Sequence, residues 1–285
     1  MYIVTGSTGL IGRAVISLLR KSESVVVALD HSSDPPEKWR EFVRAFDTPP
    51  LGIVHLAAAV PRPPGRPDSA ARGQLTRRVD QVVLDIAEEF NTHVVYASGC
   101  SLYSDELYSP MAEEDAPQVS QKVSLSPYLQ AKLAGEKSFL ATKRATVLRI
   151  SNPVGFGISG SSVLGIFLNS ARAGRLIEVW GSGNREQNYV HASDIAEAVK
   201  RSLGLRESGL FNIAGQEPTT MLELARMVAS GFPGAGVVFS QQNDPGEYHR
   251  ARFATDRAKN RLGWAPKIGI RESVANLVKC HNAIR

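Results

Sequence analysis

Cysteine is scarce in this chain, which has only Cys100 and Cys280 among its 285 residues. The two lie far apart and lack metal-ligand spacing, so we expect no disulfide framework, and a reducing, cytoplasmic compartment fits best. The six histidines are scattered and form no cluster with cysteines or carboxylates. The sequence therefore predicts a protein without a metal centre.

Long apolar runs and blocks of one charge are missing as well. No apolar stretch approaches the roughly 18 residues that a membrane-spanning helix needs, so we expect no membrane segment. The first residues resemble a strand rather than a basic n-region, which predicts that there is no signal peptide. The net charge is +5 without a long Lys/Arg run. This balance suits an anionic small molecule and does not indicate a nucleic acid partner.

The composition that remains is that of an ordinary globular protein, with 43% hydrophobic and 21% charged residues. The chain is long enough to bury a sizeable core in one large domain or two closely associated ones. Because composition says little more, the function has to be inferred from local motifs and their spacing.

The first thirty residues form a pattern typical of dinucleotide binding. An apolar strand is followed by a turn with three glycines, an amphipathic helix, a second apolar strand and Asp30. Glycines let the backbone approach a pyrophosphate, and a helix N-terminus attracts its charge. An acid after the second strand accepts ribose hydroxyls and favours NAD, although His31 leaves NADP possible. The candidate cofactor residues are Gly6, Ser7, Thr8, Gly9, Leu10, Ile11, Gly12, Asp30 and His31.

A third apolar strand, over residues 52–59, ends in Ala57, Ala58 and Ala59. Small side chains at the carboxyl end of a parallel strand leave room for a flat cofactor. Tight packing of a helix against the sheet explains the same residues, and both interpretations stay open. Before this strand the pattern predicts a short amphipathic helix over residues 37–46, and after it a stiff proline-rich loop over residues 61–67.

Residues 126–132 form the candidate catalytic segment. Ser126 is a favoured N-cap and Pro127 suits the first helical position, so a helix is expected to begin here. Tyr128 and Lys132 are four residues apart and project from one face of this helix. A nearby ammonium lowers the pKa of a phenol, which would make Tyr128 a general acid/base near neutral pH. The alternative is an ordinary Tyr/Lys pair that only shares a helix surface.

Seven stretches along the chain carry a family resemblance. They are residues 5–12 (TGSTGLIG), 55–59 (HLAAA), 95–98 (VYAS), 127–132 (PYLQAK), 148–153 (LRISNP), 188–194 (NYVHASD) and 262–266 (LGWAP). Together they resemble the extended short-chain dehydrogenase/reductase superfamily, of the NAD-dependent nucleotide-sugar epimerase/dehydratase type.

The resemblance implies an α/β fold, a doubly wound Rossmann-type parallel sheet with a smaller C-terminal substrate-binding lobe. The NAD(P)-binding domain would cover residues 1–155, with residues 188–213 returning to it. Residues 156–187 and 214–285 would form the substrate-capping lobe, with Trp264 packed inside that lobe. The segment between Asp30 and Ile53 is shorter than the family commonly has, which predicts a compressed or missing third strand.

The resemblance also assigns the chemistry. Tyr128 would exchange a proton with a sugar hydroxyl while hydride moves to or from nicotinamide. Lys132 would hold the nicotinamide ribose and lower the pKa of the tyrosine. Ser151 and Pro153 would contact nicotinamide from the end of the strand before them.

One departure concerns the serine or threonine that helps to hold the sugar oxygen in the family. Its position falls on Gly99 here, so the candidates to replace it are Ser98, one residue early, and Ser101, two residues late. The thiol of Cys100 is a poorer donor. The acid pair of the dehydratase members is replaced by Cys100 and Ser101, which disfavours dehydration.

A second departure concerns substrate phosphate. Asn152 matches the family's phosphate-contacting asparagine. The family's diphosphate-binding arginine lies at residue 187, where this chain has a glutamine. Arg185 is two residues earlier and on the same face of a strand, so it is the candidate to replace that arginine. Arg252 is a further candidate, since a guanidinium offers phosphate a bidentate fork.

These implications lead to one functional hypothesis and two alternatives. The hypothesis is an NAD-dependent epimerase that acts on a nucleotide-activated sugar through a transient keto intermediate. The alternatives are an NAD(P)H-dependent 4-keto-sugar reductase and a catalytically degenerate dinucleotide-binding protein of the same fold. The expected partners are a nucleotide-sugar substrate and, by family resemblance, a second copy in a homodimer.

Overall fold

A computed structural model of the chain describes residues 1–59, 70–103, 110–115 and 126–283. The proline-rich loop predicted at residues 61–67 lies outside the described residues. No described helix is long and apolar enough to cross a membrane.

The secondary structure follows the sequence pattern closely. The described strands are Tyr2–Thr5 (β1), Val26–Leu29 (β2), Gly52–His55 (β3), Val94–Gly99 (β4), Ala145–Ile150 (β5), Asn152–Val154 (β6), Ile177–Val179 (β7), Glu186–His191 (β8), Gly209–Ile213 (β9), Pro218–Thr220 (β10) and Val237–Phe239 (β11). The described helices are Leu10–Lys21 (α1), Trp39–Arg44 (α2), Ala70–Glu89 (α3), Pro127–Ala141 (α4), Val163–Arg172 (α5), Ala192–Leu205 (α6), Met221–Ala229 (α7), Asp256–Leu262 (α8) and Ile270–Ala283 (α9).

Six of the described strands form one parallel sheet in the order β2-β1-β3-β4-β5-β9. The chain runs from β1 to β2 on one side and then crosses to β3 on the other, so the order of strands reverses beside β1. Thr5 lies opposite both Leu29 and His55 in register, which brings three carboxyl ends together at this point. Ligands of such sheets bind where the order reverses. The arrangement confirms the predicted doubly wound α/β fold.

The short segment after β2 adds no strand to the sheet. Residues 30–51 are all described and form a 3₁₀ turn and the short helix α2. Trp39 and Val43 anchor this helix, since each is buried, and the Trp39 indole donates to the Asp34 carbonyl at 3.1 Å. The segment between β2 and β3 thus adds no strand, in agreement with the prediction of a compressed or missing strand there.

Alternating side chains of the sheet build two cores, one on each face. Ile3 and Ile53 point toward α2, α3 and α4, whereas their neighbours Val4 and Val54 point toward α1 and α6. This alternation is the period of two that strand geometry imposes, and it explains why the strands are apolar on both faces. A third core joins β7 to α5, α7 and α9 on the C-terminal side of the chain.

Trp264 corrects one expectation. It packs against the central sheet and α6 rather than inside the C-terminal lobe. Its indole Nε1 donates to the Asp194 carbonyl at 2.8 Å. The Asp194 carboxylate accepts the backbone N–H groups of Lys267 and Ile268 at 3.0 and 2.9 Å. Asp194 therefore holds the chain that follows Trp264 against the start of α6.

We expect Asp194→Ala to lower the free energy of unfolding by about 2 kcal/mol, because two partly buried backbone amides lose a charged acceptor. Asp194→Asn keeps one oxygen acceptor and should lose less. Urea unfolding followed by circular dichroism measures both values. Equal stability of Asp194→Ala and the wild type would show that these hydrogen bonds do not hold the segment.

Candidate active site

The turn between β1 and α1 is shaped by its glycines. Gly6 has a φ of +67°, and a Cβ there would lie 2.8 Å from the backbone nitrogen of Ala57, just after β3. A Cβ at Gly12 would lie 2.3 Å from the carbonyl oxygen of Gly6. Gly9 is the N-cap of α1, whose first turn has no acid and no side-chain cap among the described residues. The positive end of α1 is thus left for an anion.

Asp30 lies beside this turn, directly after β2. Its carboxylate accepts the Thr8 hydroxyl at 2.5 Å and the Ser32 hydroxyl and amide at 2.6 and 3.0 Å. Burial raises the pKa of Asp30, but these hydrogen bonds outweigh it and lower the pKa to about 2. Asp30 is therefore a carboxylate at physiological pH. Its position next to the glycine turn suits ribose hydroxyls.

One cavity of about 600 Å³ opens at the carboxyl edge of the sheet and brings many of the predicted residues together. The predicted residues that line it are Ile11, Ala58, Ser98, Ser101, Tyr128, Lys132, Ser151, Asn152, Pro153 and Arg185. The predicted residues outside its lining are Gly6, Ser7, Thr8, Gly9, Leu10, Gly12, Asp30, His31, Ala57, Ala59 and Arg252. All of the latter except Arg252 belong to the glycine turn or to the ends of β2 and β3 around it.

Tyr128 and Lys132 enter the cavity from the first turns of α4. The helix begins as the sequence predicts, because the Ser126 hydroxyl accepts the Leu129 amide at 3.3 Å and Pro127 takes the first position. Lys132 is 3% exposed, and its ammonium donates to the Ala97 carbonyl at 2.7 Å. Burial lowers the pKa of Lys132. An ammonium has three donors, so this one can hold further partners in the cavity.

The two candidate hydroxyls lie at the end of β4 and in the 3₁₀ turn, Cys100–Leu102, that follows it. A Cβ built on Gly99 would lie 3.1 Å from the Ser101 Oγ, so the Ser101 hydroxyl is adjacent to the position that a side chain at residue 99 would take. Ser98 also lines the cavity, and its buried Oγ has no hydrogen-bond partner among the described residues. Both serines therefore stay candidates, and Ser101 is the one that lies beside the family's position.

Polar side chains of β6 and of the start of β8 also line the cavity. The Asn152 amide donates to the Gln187 side chain at 2.5 Å and to the Asn188 carbonyl at 3.1 Å. The Arg185 Nε lies 3.0 Å from an Asp244 carboxylate oxygen, and Asp244 is buried. Arg185 therefore faces the cavity with its charge already paired.

Arg252 does not join the other candidates. It is paired with Glu186 at 3.2 Å and its side chain is 52% exposed. The cavity is lined instead by alternate residues of this segment, His249, Ala251 and Phe253. Alternation is what an extended chain produces, so the intervening arginine points away. The sequence prediction selected the charged residue and not the side of the segment that faces the cavity. Met111 and Gly246 also line the cavity and were not predicted, because no motif marks them.

A sequence profile of the NAD dependent epimerase/dehydratase family matches residues 2–214. The chain belongs to this family. The family resemblance predicted from the seven sequence stretches is therefore confirmed. Membership also makes NAD the cofactor, as predicted.

Individual members similar to this chain carry out different reactions. It is 26% identical to UDP-glucose 4-epimerase of Mycolicibacterium smegmatis, over 97% of each chain. It is 26% identical to UDP-glucuronic acid decarboxylase 6 of Arabidopsis thaliana, over 95% of this chain and 86% of that one. It is 25% identical to dTDP-4-dehydro-6-deoxyglucose reductase of Escherichia coli, over 97% of this chain and 96% of that one. The family is thus established, while the specific reaction is not.

Solved structures agree on the fold. The crystal structure of UDP-glucose 4-epimerase from Thermotoga maritima superposes with a TM-score of 0.82, covering 100% of this chain and 99% of that one. The two sequences are 21% identical. At this identity the likeness establishes the fold alone.

The residues present fit NAD. The glycine turn leaves a cradle that any Cβ would fill, and the uncapped start of α1 suits a pyrophosphate. Asp30 is ionised beside that turn, and the buried Ser98 hydroxyl lacks a partner in the described chain. Lys132 reaches the same cavity from α4.

We expect Gly12→Ala to abolish NAD binding and to lower the free energy of unfolding by about 2 kcal/mol, because its Cβ meets the Gly6 carbonyl. Gly204→Ala is the matched control, since it lies in helix α6 with no atom within 4 Å of the new Cβ. Gly204→Ala should raise the free energy of unfolding by about 0.5–1 kcal/mol, because alanine has a higher helix propensity than glycine. Calorimetric NAD titration and thermal unfolding measure both effects. Normal NAD affinity in Gly12→Ala would rule out this turn as the cofactor site.

Proposed function

We propose that this chain is an NAD-dependent epimerase that acts on a nucleotide-activated sugar through a transient keto intermediate. The observation that carries the proposal is the place of the Ser101 hydroxyl, 3.1 Å from where a Cβ of residue 99 would be. Tyr128 and Lys132 line the same cavity. A donor, an acid/base and an ammonium therefore face one space, although Gly99 itself has no side chain to offer.

In the proposed reaction the protein residues handle the proton and the charge. Tyr128 takes the proton of a sugar hydroxyl as that carbon is oxidised, and later returns a proton to the oxygen. The Lys132 ammonium stabilises the Tyr128 phenolate and holds the cofactor ribose. Ser101 donates a hydrogen bond to the sugar oxygen, where negative charge develops. NAD, when bound, supplies the hydride acceptor and donor.

The substrate end of the cavity supports a nucleotide-activated sugar. Asn152 and Arg185 are the proposed phosphate contacts, because both line the same cavity as Tyr128. Arg185 is paired with Asp244. Its charge would therefore stay balanced when no substrate phosphate is bound. Gln187 adds an uncharged donor at the position where the family's arginine usually lies.

We expect Ser101→Ala to lower kcat by about 10²-fold, because one hydrogen bond to the reacting oxygen is lost. Gly99→Ser in the Ser101→Ala background should recover most of that loss, since a serine side chain there enters the space that the Ser101 hydroxyl leaves. Ser98→Ala removes the other candidate hydroxyl and so compares the two serines. Steady-state turnover of nucleotide sugars is measured for the wild type, for these three variants and for Gly99→Ser alone.

The pattern of this series decides the role of Ser101. If Ser98→Ala costs as much as Ser101→Ala, or if the double variant recovers nothing, Ser101 is not the missing donor. If the wild type has no activity and Gly99→Ser alone creates it, the chain is a catalytically degenerate member of its family.

A 4-keto-sugar reductase is the second candidate, favoured by the 25% identity to the Escherichia coli reductase over nearly the whole chain. The two differ in how the cofactor is used, since an epimerase regenerates it at the site while a reductase consumes it. We expect heat denaturation of the purified protein to release NAD in near-stoichiometric amount, identified by mass spectrometry. An empty site together with turnover only on added NAD(P)H would favour the reductase.

A further inference from the structure

A buried polar network lies behind Lys132, on the side away from the cavity. The carboxylate of Asp80, on α3, accepts from the His55 Nε2 at 2.9 Å and from the Tyr96 hydroxyl at 3.1 Å. The other ring nitrogen of His55 lies 2.7 Å from the Thr5 hydroxyl. All four side chains are buried. The network runs from the end of β1, beside the glycine turn, to the face of α4.

The protonation of this network follows from its donors and acceptors. Burial lowers the pKa of His55, against the opposing effect of Asp80, and this favours a neutral imidazole. A carboxylate only accepts, which places the single ring proton on Nε2 and leaves Nδ1 to accept from Thr5. Asp80 thus receives two neutral donors, and neither cancels its negative charge. A buried charge of this kind needs a partner of opposite sign.

Lys132 is the cation on the other side of the Tyr96 ring. Its ammonium lies 4.5 Å from the centre of that ring. Burial lowers the pKa of Lys132, and the negative charges of Asp80 and Glu136 oppose that effect. Glu136 is already held by both arms of the Arg149 guanidinium, at 2.9 and 2.8 Å. Asp80 is therefore the buried anion left to balance Lys132.

The groups that face Lys132 come from several elements. Asp80 is on α3, His55 at the end of β3, Tyr96 on β4, Tyr128 and Glu136 on α4, and Arg149 on β5. Among the described residues, Asp80 and Glu136 are the anions whose charge acts on Lys132.

A glycine in α4 makes room for the network. A Cβ at Gly135 would lie 2.2 Å from the Tyr96 hydroxyl oxygen and 2.6 Å from an Asp80 carboxylate oxygen. Glycine weakens the interior of a helix, so its presence there has a packing reason. The close approach of Tyr96 and Asp80 beneath α4 supplies that reason.

We propose that Asp80 is a positioning residue that keeps the Lys132 ammonium charged, acting across the ring of Tyr96. The inference rests on the proposed function, in which a charged Lys132 holds the cofactor ribose and stabilises the Tyr128 phenolate. Asp80 is not among the residues that line the cavity, so it would act through Lys132. Its role is to offset the burial of the ammonium from behind.

The test is the pH dependence of NAD affinity, which needs no turnover. Asp80→Asn keeps the shape and removes the charge, so the ammonium is disfavoured and Lys132 loses its proton at lower pH. We expect the alkaline loss of NAD affinity to move to lower pH by on the order of one unit. Asp80→Thr, a second neutral variant, should show the same shift, and circular dichroism identifies which variants fold.

Two further variants separate charge from structure. Tyr96→Phe removes a hydrogen bond to Asp80 but keeps both the carboxylate and the aromatic face. It should lower the free energy of unfolding, while NAD affinity is lost at the same alkaline pH as in the wild type (the alkaline limb). Lys132→Met should make NAD affinity independent of pH in this range, both alone and combined with Asp80→Asn. The inference is overturned if the limb persists without Lys132, or if folded Asp80 variants keep the wild-type limb.

Turnover measured on the same proteins separates this inference from the proposed function. If the Asp80 variants shift the pH dependence of NAD affinity but the wild type never converts a nucleotide sugar, the epimerase is overturned and the role of Asp80 stands. Conversion of a nucleotide sugar with no shift in any folded Asp80 variant would overturn the role of Asp80 alone.

Discussion

The burial of a lysine ammonium at the carboxyl edge of a parallel sheet is the constraint on which the site depends. Lys132 is 3% exposed, and an ammonium taken out of water loses its proton unless nearby groups hold it. Here the Ala97 carbonyl and the face of Tyr96 contact the ammonium, and Asp80 behind that ring is the residue proposed to offset its burial. Those groups come from β4 and α3, so the sheet and the helices against it must be in place before the lysine can act.

The glycine turn between β1 and α1 also depends on contacts between separate elements of the fold. Gly6 allows β1 and β3 to approach, and Gly12 lets α1 begin directly over the turn. Thr5 closes this region, because its hydroxyl accepts the Ala57 amide and also meets the ring of His55. The proposed cofactor turn and the buried network behind Lys132 are thus joined through one threonine.

Local chemistry made part of the site predictable from the sequence. The glycine turn, the capped start of α4 and the four-residue spacing of Tyr128 and Lys132 are short-range features, so spacing alone places them. Spacing alone does not show which side of an irregular segment faces the cavity. Arg252 was therefore predicted, whereas His249 and its alternate neighbours line the cavity. The contact of His55 with Asp80 joins two elements through tertiary packing, which no local pattern shows.

The turn after β4 shows how a fold can be kept while a site residue changes. The sheet accommodates a glycine at residue 99, and the Ser101 hydroxyl lies 3.1 Å from where a Cβ of that residue would be. Under the proposed function, this shift of two residues along the chain changes which hydroxyl meets the reacting oxygen without changing the sheet. The sequence alone shows only that residue 99 lacks the family's serine or threonine.

Nuclear magnetic resonance of nucleotide hexoses, incubated with the purified protein without added cofactor, shows whether the chain is an epimerase. We expect signals of the 4-epimer to appear with the wild-type protein and to be absent with Tyr128→Phe. Conversion by Tyr128→Phe at the wild-type rate, or a wild type that acts only on keto sugars with added NAD(P)H, would contradict it.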